Sequence, residues 1–196
     1  VALLPADHHI PDAEVFAAQL AGAFARAAAA PTVVTLGIRP DRPETGYGYL
    51  EAEEAADADG YRRGEAFVEK PDAATAARYL AGGRHFWNGG IFIWNPAWFA
   101  EAATRHIPEV ADLMAAPVAA FGTNGFDAAL EAAYASCPAE SIDYAVMEKL
   151  PRFEILPAEF RWSDLGSWDA WGELAPVLPG SNRGEADLIA VDAANN

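Results

Sequence analysis

The chain has 196 residues, 52% of them apolar, enough core-forming material for one full-sized globular domain, which excludes intrinsic disorder. Its 29 acidic residues outnumber the 13 basic ones, for a net charge of -16, so nucleic-acid phosphates and anionic membrane surfaces are repelled and no nucleic acid or membrane partner is expected. The lone Cys137 excludes an internal disulfide and a thiolate zinc site, and with no apolar run of ~18 residues and no basic leader the chain is expected in the cytoplasm.

Val1 to Leu4 read as a buried strand that Pro5 ends, so that Asp7 stands at or just beyond its carboxyl end, where ligands of open α/β sheets collect. The chain is therefore expected to begin inside a domain. Asp12 is placed to cap a helix carrying Val15, Phe16, Leu20 and Phe24, and after Pro31 a second strand is expected over Thr32 to Ile38. This β-α-β order favours parallel pairing of the two strands. A turn-rich stretch, Arg39 to Gly46, leads into alternating Tyr47 to Glu51, an acidic link through Gly60 and a strand over Glu65 to Lys70, a pair expected to form a hairpin. Asp72 to Ala81 is expected to be a helix ending at Gly82-Gly83. Phe86 to Trp94 reads as a strand in which Gly89 and Gly90 permit a bulge or close approach by a ligand. Helix is expected from Pro96 to about Tyr134, broken by Pro108, Pro117 and the Gly122 to Gly125 turn. A short helix follows over Ser141 to Leu150, then a strand over Phe153 to Leu156 and a final helix capped by Ser167 with Trp168 and Trp171. The division expected is a domain over 1–175 and a tail or second module over 176–196, with a strand at Leu188 to Val191.

Four acidic residues fall in non-helical, aromatic or glycine-rich settings: Asp7, Glu69, Asp143 and Asp164. Two carboxylates at a sheet edge can hold Mg²⁺, which takes oxygen ligands and shares its shell with phosphate and water. A metal would let a strongly acidic protein handle a phosphate substrate. The plainer reading of each aspartate is a cap or turn residue, and His8 and His9, lacking a clear third ligand, read as surface histidines. Lys70 is one of only two lysines, the other being Lys149. It is either a solvated strand-end lysine paired with Glu69 or a compact charge reaching for a phosphate. Trp87-Asn88-Gly89-Gly90 offers an amide, a free backbone and an aromatic wall suited to sugar hydroxyls, or is a plain glycine bulge in a core strand.

Taken in order, these segments resemble the bacterial mannose-1-phosphate guanylyltransferases, within the sugar-phosphate nucleotidyltransferases. The matching stretches are Leu4-Pro5-Ala6-Asp7-His8, Thr35 to Ile38 with Pro40, Pro43 to Tyr49, Phe67-Val68-Glu69-Lys70-Pro71, Trp87 to Phe92, Ser141 to Lys149, and Trp162 to Trp168. The Trp-Asn-x-Gly, Ser-Ile-Asp-Tyr and Trp-Ser-Asp-x-Gly-Ser-Trp segments favour the mannose enzymes over their glucose- and thymidylyl-transferring relatives, with a related hexose-1-phosphate nucleotidyltransferase or a non-catalytic sugar-phosphate-binding fragment as the alternatives.

The resemblance implies an α/β fold: a Rossmann-like nucleotidyltransferase domain with a mixed, mainly parallel sheet flanked by helices, its amino-terminal part missing. It implies a Mg²⁺-dependent enzyme joining mannose 1-phosphate to GTP, with GDP-mannose and pyrophosphate as products, and a homodimer. Asp7 and Asp164 look like the metal ligands and, with Lys70, the catalytic set. Lys70 resembles the lysine that binds the sugar phosphate, Glu69 and Asn88 the groups that hold sugar hydroxyls, Gly48 a backbone contact to the sugar with Tyr47 beside it, and Asp143 a support of that pocket. Gly89 stands where the family more often has Ser or Ala, and His9 where an apolar residue is common. The family's Gly-x-Gly-Thr-Arg-Leu type loop, which cradles the triphosphate, is absent from this sequence, and the residues that would read the guanine are absent with it.

Overall fold

Strand β2 (Val33–Ile38) is buried along its whole length, as an unbroken apolar run requires when both faces are covered. It lies inside a six-stranded sheet of order β1-β5-β2-β6-β4-β3, whose other members are β1 (Ala2–Leu3), β3 (Tyr49–Ala56), β4 (Arg62–Val68), β5 (His85–Trp94) and β6 (Phe153–Pro157). The structure is a computed structural model and describes residues 1–174; the tail over 176–196 and its expected strand lie outside the described residues.

The α/β class is as expected, with parallel and antiparallel strands between helices. Among the described residues the balance of the sheet is antiparallel: β2 and β6 run parallel, while β1·β5, β2·β5, β3·β4, β3·β5 and β4·β6 are antiparallel. The expected parallel pairing of the first two strands is corrected in the same way. β1 and β2 share a direction, but β5 lies between them and pairs with both. The buried run Ile91 to Trp94 needs neighbours on both edges, and the interposed strand comes from far along the chain, where local order gives no warning of it.

β5 pairs with β3 through its first half and with β1 through its second. Between the halves is the expected bulge: residues 89–91 face the single residue Leu36 of β2. Gly90 has φ +66° there, a backbone that glycine adopts without penalty, and its N–H donates to Asn88 Oδ1 at 3.0 Å.

The helices are α1 (Ala13–Ala29), α2 (Ala73–Gly82), α3 (Pro96–His106), α4 (Pro108–Ala120), α5 (Phe126–Ser136), α6 (Ile142–Ala145) and α7 (Trp168–Leu174), with a 3-10 turn over Met147–Lys149. Asp72 caps α2 by accepting the Thr75 N–H at 2.7 Å, and Gly83 ends it in the left-handed conformation. Ser167 Oγ likewise accepts the Ala170 N–H at 3.1 Å at the start of α7. Two local expectations change. Pro108 does open a helix, but Pro117 lies inside α4, buried and near its end, where only one main-chain bond is forfeited. Asp12 precedes α1 without capping it, because its carboxylate takes Arg161 instead, at 2.7 Å from Nη2 and 3.0 Å from Nε. That fork holds the Asp12 carboxyl down at about 2. No helix of the described residues is long and apolar enough to cross a membrane.

Alternate strand residues feed two cores, as a pleat of period two requires. Val34, Leu36, Trp87, Ile91 and Ile93 pack with Ala23, Ala27 and Ala76 of the helices, while Val33, Leu50, Phe67, Phe86, Phe92 and Phe153 pack with Met147. Gly64 is required by the second core, since a Cβ there would lie 2.5 Å from Cδ2 and Cζ of the buried Phe153 ring. Gly64→Ala is expected to destabilise the protein by about 1–3 kcal/mol through overpacking, read from the denaturant midpoint at unchanged slope.

Candidate active site

The candidate residues collect where β1, β2 and β6, which run the same way, reach their carboxyl ends. The loop after β1 brings Asp7 and His8, the turn before β3 brings Tyr47 and Gly48, the end of β4 brings Glu69 and Lys70, the bulge of β5 brings Asn88, and the turn after β6 brings Asp164. Asp143 arrives from α6. Chain segments far apart in sequence thus meet at one sheet edge, the usual ligand position in α/β folds.

On one side of this edge, Asn88 is fixed at three points. Its N–H donates to the Gly48 carbonyl at 2.8 Å, its Nδ2 donates to Asp143 Oδ1 at 2.9 Å, and its Oδ1 accepts from Gly90. One side-chain N–H and one lone pair remain for a ligand. Gly48 lies so close to Glu69 that a Cβ would collide with Glu69 Oε2 and come within 3.3 Å of Asn88 Cβ. Glu69 Oε2 is buried without a hydrogen-bond partner. Its other oxygen lies 3.5 Å from Lys70 Nζ, and the Lys70 side chain is 58% exposed against 11% for Glu69. Lys70 has φ +48°, a conformation costly for a residue with a Cβ. Both readings of Lys70 survive in the geometry: it pairs with Glu69, and its ammonium is open to an incoming phosphate.

On the other side, His9 and Ser163 form an isolated antiparallel bridge, with N–H to O distances of 2.8 and 3.1 Å, which ties the Asp7 loop to the Asp164 turn. Asp164 Oδ1 accepts the Tyr47 hydroxyl at 2.7 Å and the Gly166 N–H at 3.1 Å. Tyr47 stands edge-on to Trp87 and Trp162, with ring centroids 5.1 and 5.4 Å away. Burial and the Asp164 carboxylate push its phenol well above its ordinary pKa, so it stays a donor. Asp7 is exposed. Its charge and that of Asp164 both act on the His8 ring, raising its pKa, while burial lowers it further than they raise it.

Three neighbours carry weight that sequence patterns did not assign. His8 is a packed residue whose Nδ1 accepts the Trp162 indole N–H at 3.1 Å, which corrects the expectation of a surface histidine. Trp162 is part-buried against Tyr47 and His8, whereas Trp168, the other tryptophan flanking Asp164, is 86% exposed. Glu148 accepts the Glu69 N–H at 2.9 Å. Apart from the adjacency of His8 to Asp7, no local pattern signals these contacts.

The donor set suits Mg²⁺. Among the described residues no group of three or more His, Cys, Asp and Glu is arranged as a metal cage, yet Mg²⁺ is commonly held by one or two carboxylates plus substrate phosphates. Asp7 and Asp164 are two carboxylates on loops tied to each other by the main-chain bridge of His9 and Ser163. A concavity of about 730 Å³, lined by Arg26, Trp98 and Arg105 among others, lies at the opposite end of the strands and contains none of these residues.

Glu69 sits against its electrostatic preference: burial first, then Asp143, pushes its carboxyl up from the ordinary value, with Lys70 opposing. A carboxyl whose pKa is raised by folding binds protons more tightly in the folded state, so stability falls as pH rises through that window. Glu69→Gln is therefore expected to raise the melting temperature at pH 7.5, with the gain over wild type vanishing below the ordinary carboxylate range. Melting curves of both proteins across pH check this.

Comparison with known proteins identifies the family and the fold. The Nucleotidyl transferase family model matches residues 1–178. The chain is 39% identical over 98% of its length to the xanthan biosynthesis protein XanB of Xanthomonas campestris pv. campestris, covering 41% of that protein. It is 37% identical over 99% of its length to the mannose-1-phosphate guanylyltransferase ManC of Salmonella typhimurium, again covering 41%. It thus spans about two fifths of the curated relatives it matches. A crystal structure from Thermus thermophilus, described as a mannose-1-phosphate geranyltransferase, superposes with a TM-score of 0.77 at 39% identity, over 88% of this chain and 48% of that one. With a family model matched over nearly all of its length and a solved relative of the same fold, the chain belongs to the nucleotidyl transferase family.

Proposed function

We propose that this chain forms the sugar-phosphate side of a mannose-1-phosphate guanylyltransferase that joins mannose 1-phosphate to GTP, giving GDP-mannose and pyrophosphate with Mg²⁺ as cofactor. The observation that carries this reading is the convergence of Gly48, Glu69, Lys70, Asn88 and Asp143 beside Asp7 and Asp164 at one sheet edge. The similarity to relatives described as mannose-1-phosphate guanylyltransferases supports it. The proposal keeps the finer expectations of the sequence, a cytoplasmic homodimer without nucleic-acid or membrane partners.

In this reaction a phosphate oxygen of the sugar phosphate attacks the α-phosphorus of the triphosphate, and the bond to the bridging oxygen of the β-phosphate breaks, so that pyrophosphate leaves with the electron pair. Such a step needs alignment and charge neutralisation more than acid or base chemistry. Asp7 and Asp164 would hold Mg²⁺, which when bound supplies part of that neutralisation. Lys70 supplies positive charge at the sugar phosphate from an exposed ammonium. Asn88 and Glu69 fix the sugar hydroxyls, Asn88 being locked by Asp143 and the bulge. Tyr47 holds Asp164 in one orientation through its hydroxyl.

A substrate panel tests the proposal on the intact protein, with pyrophosphate release measured for mannose 1-phosphate and glucose 1-phosphate against GTP, UTP and dTTP. The expected result is the highest kcat/KM for mannose 1-phosphate with GTP. A preference for glucose 1-phosphate would reassign the protein to a related hexose-1-phosphate nucleotidyltransferase. Calorimetric binding of mannose 1-phosphate without turnover would make it a sugar-phosphate-binding protein.

A further inference from the structure

The segment over 142–149 is anchored from beneath and reaches the site with two carboxylates. Ala145, Val146 and Met147 are each at most 4% exposed and join two of the hydrophobic clusters. From this fixed base Asp143 accepts Asn88 Nδ2, and Glu148 Oε1 accepts the backbone N–H of Glu69 at 2.9 Å. Glu69 is the first residue past β4, whose ladder with β3 ends at the Tyr49 and Val68 pair, so its N–H has left the sheet. The next residue, Lys70, has φ +48° and precedes Pro71. A left-handed residue costs free energy, and a following proline disfavours compact backbone conformations further. Such a corner persists only where its surroundings hold it.

We propose that Glu148 is a positioning residue for sugar-phosphate binding: by accepting the Glu69 N–H it holds the Glu69-Lys70 corner so that both side chains face the ligand. This rests on the proposed sugar-phosphate role of Glu69 and Lys70. A third carboxylate beside Glu69 and Asp143 is electrostatically unfavourable, and its charge does not help an anionic ligand to bind. What Glu148 contributes is the acceptor, which a neutral amide would supply equally well. Glu148 thus acts through the backbone, without touching the sugar phosphate.

The experiment compares E148A and E148Q in the intact protein. E148A is expected to raise the KM for mannose 1-phosphate about tenfold, the scale of one lost hydrogen bond, with kcat and the KM for GTP within about twofold of wild type. E148Q is expected to match wild type within about twofold in all three. Hydrogen exchange gives a readout independent of substrate identity: peptides covering 68–72 are expected to lose protection in E148A and keep it in E148Q. A wild-type KM in E148A would overturn the proposal, as would an E148Q as impaired as E148A or unchanged exchange over 68–72 in E148A. If the wild-type panel selects a different hexose 1-phosphate, the same comparison is made with that sugar. A wrong substrate therefore shows in the wild type alone, and a wrong role for Glu148 shows in the variants.

Discussion

Asp164→Asn is expected to reduce turnover of the intact protein by about 10³-fold, equivalent to roughly 4 kcal/mol of transition-state stabilisation, while leaving the melting temperature close to wild type. The variant keeps the shape of the side chain and an oxygen that can still accept the Tyr47 hydroxyl and the Gly166 N–H, the two contacts now made by Oδ1. The bridge between His9 and Ser163 uses main chain only and is untouched. What is lost is the negative charge that, with Asp7, would hold Mg²⁺. Turnover under saturating Mg²⁺, a thermal melt and the binding of Mn²⁺ by paramagnetic resonance check the three parts separately. Turnover near wild type would remove Asp164 from the metal assignment.

Lys70→Met is the second large effect: kcat/KM for mannose 1-phosphate is expected to fall about 10²-fold, roughly 2.7 kcal/mol, with the KM for GTP little changed. Methionine keeps an unbranched stem and removes the ammonium. The Lys70 side chain is 58% exposed, so stability is not expected to change. Lys70→Arg is expected to restore only part of the loss, because a planar fork on a left-handed corner does not place its charge where a compact ammonium does. Steady-state kinetics with each substrate varied in turn separate these outcomes. A Lys70→Met protein with wild-type kcat/KM would leave Lys70 as an ordinary strand-end lysine paired with Glu69.

The legible part of the fold was the part written in local patterns. The buried run of β2, the Asp72 and Gly83 caps, the β3·β4 hairpin and the glycine bulge of β5 each follow from residues within a few positions of one another. The Pro117 break did not materialise because α4 ends soon after it. The placement of β5 between β1 and β2 was not legible, since the hydrophobic run in β5 reports that it is buried and not which strands lie beside it.

The candidate site divides in the same way. Residue type and motif order by themselves determined the family resemblance and the roster of Asp7, Gly48, Glu69, Lys70, Asn88, Asp143 and Asp164. Only the tertiary structure decided how these groups are held: Tyr47 on Asp164 from 117 residues away, Glu148 on Glu69 from 79, and Arg161 on Asp12 from 149, the last taking a carboxylate that the local pattern assigned to a helix cap. The physical reason is range. Strand, helix and turn preferences are set by a residue and its near neighbours, whereas a hydroxyl, carboxylate or free N–H is satisfied by whichever partner the completed fold brings within about 3 Å.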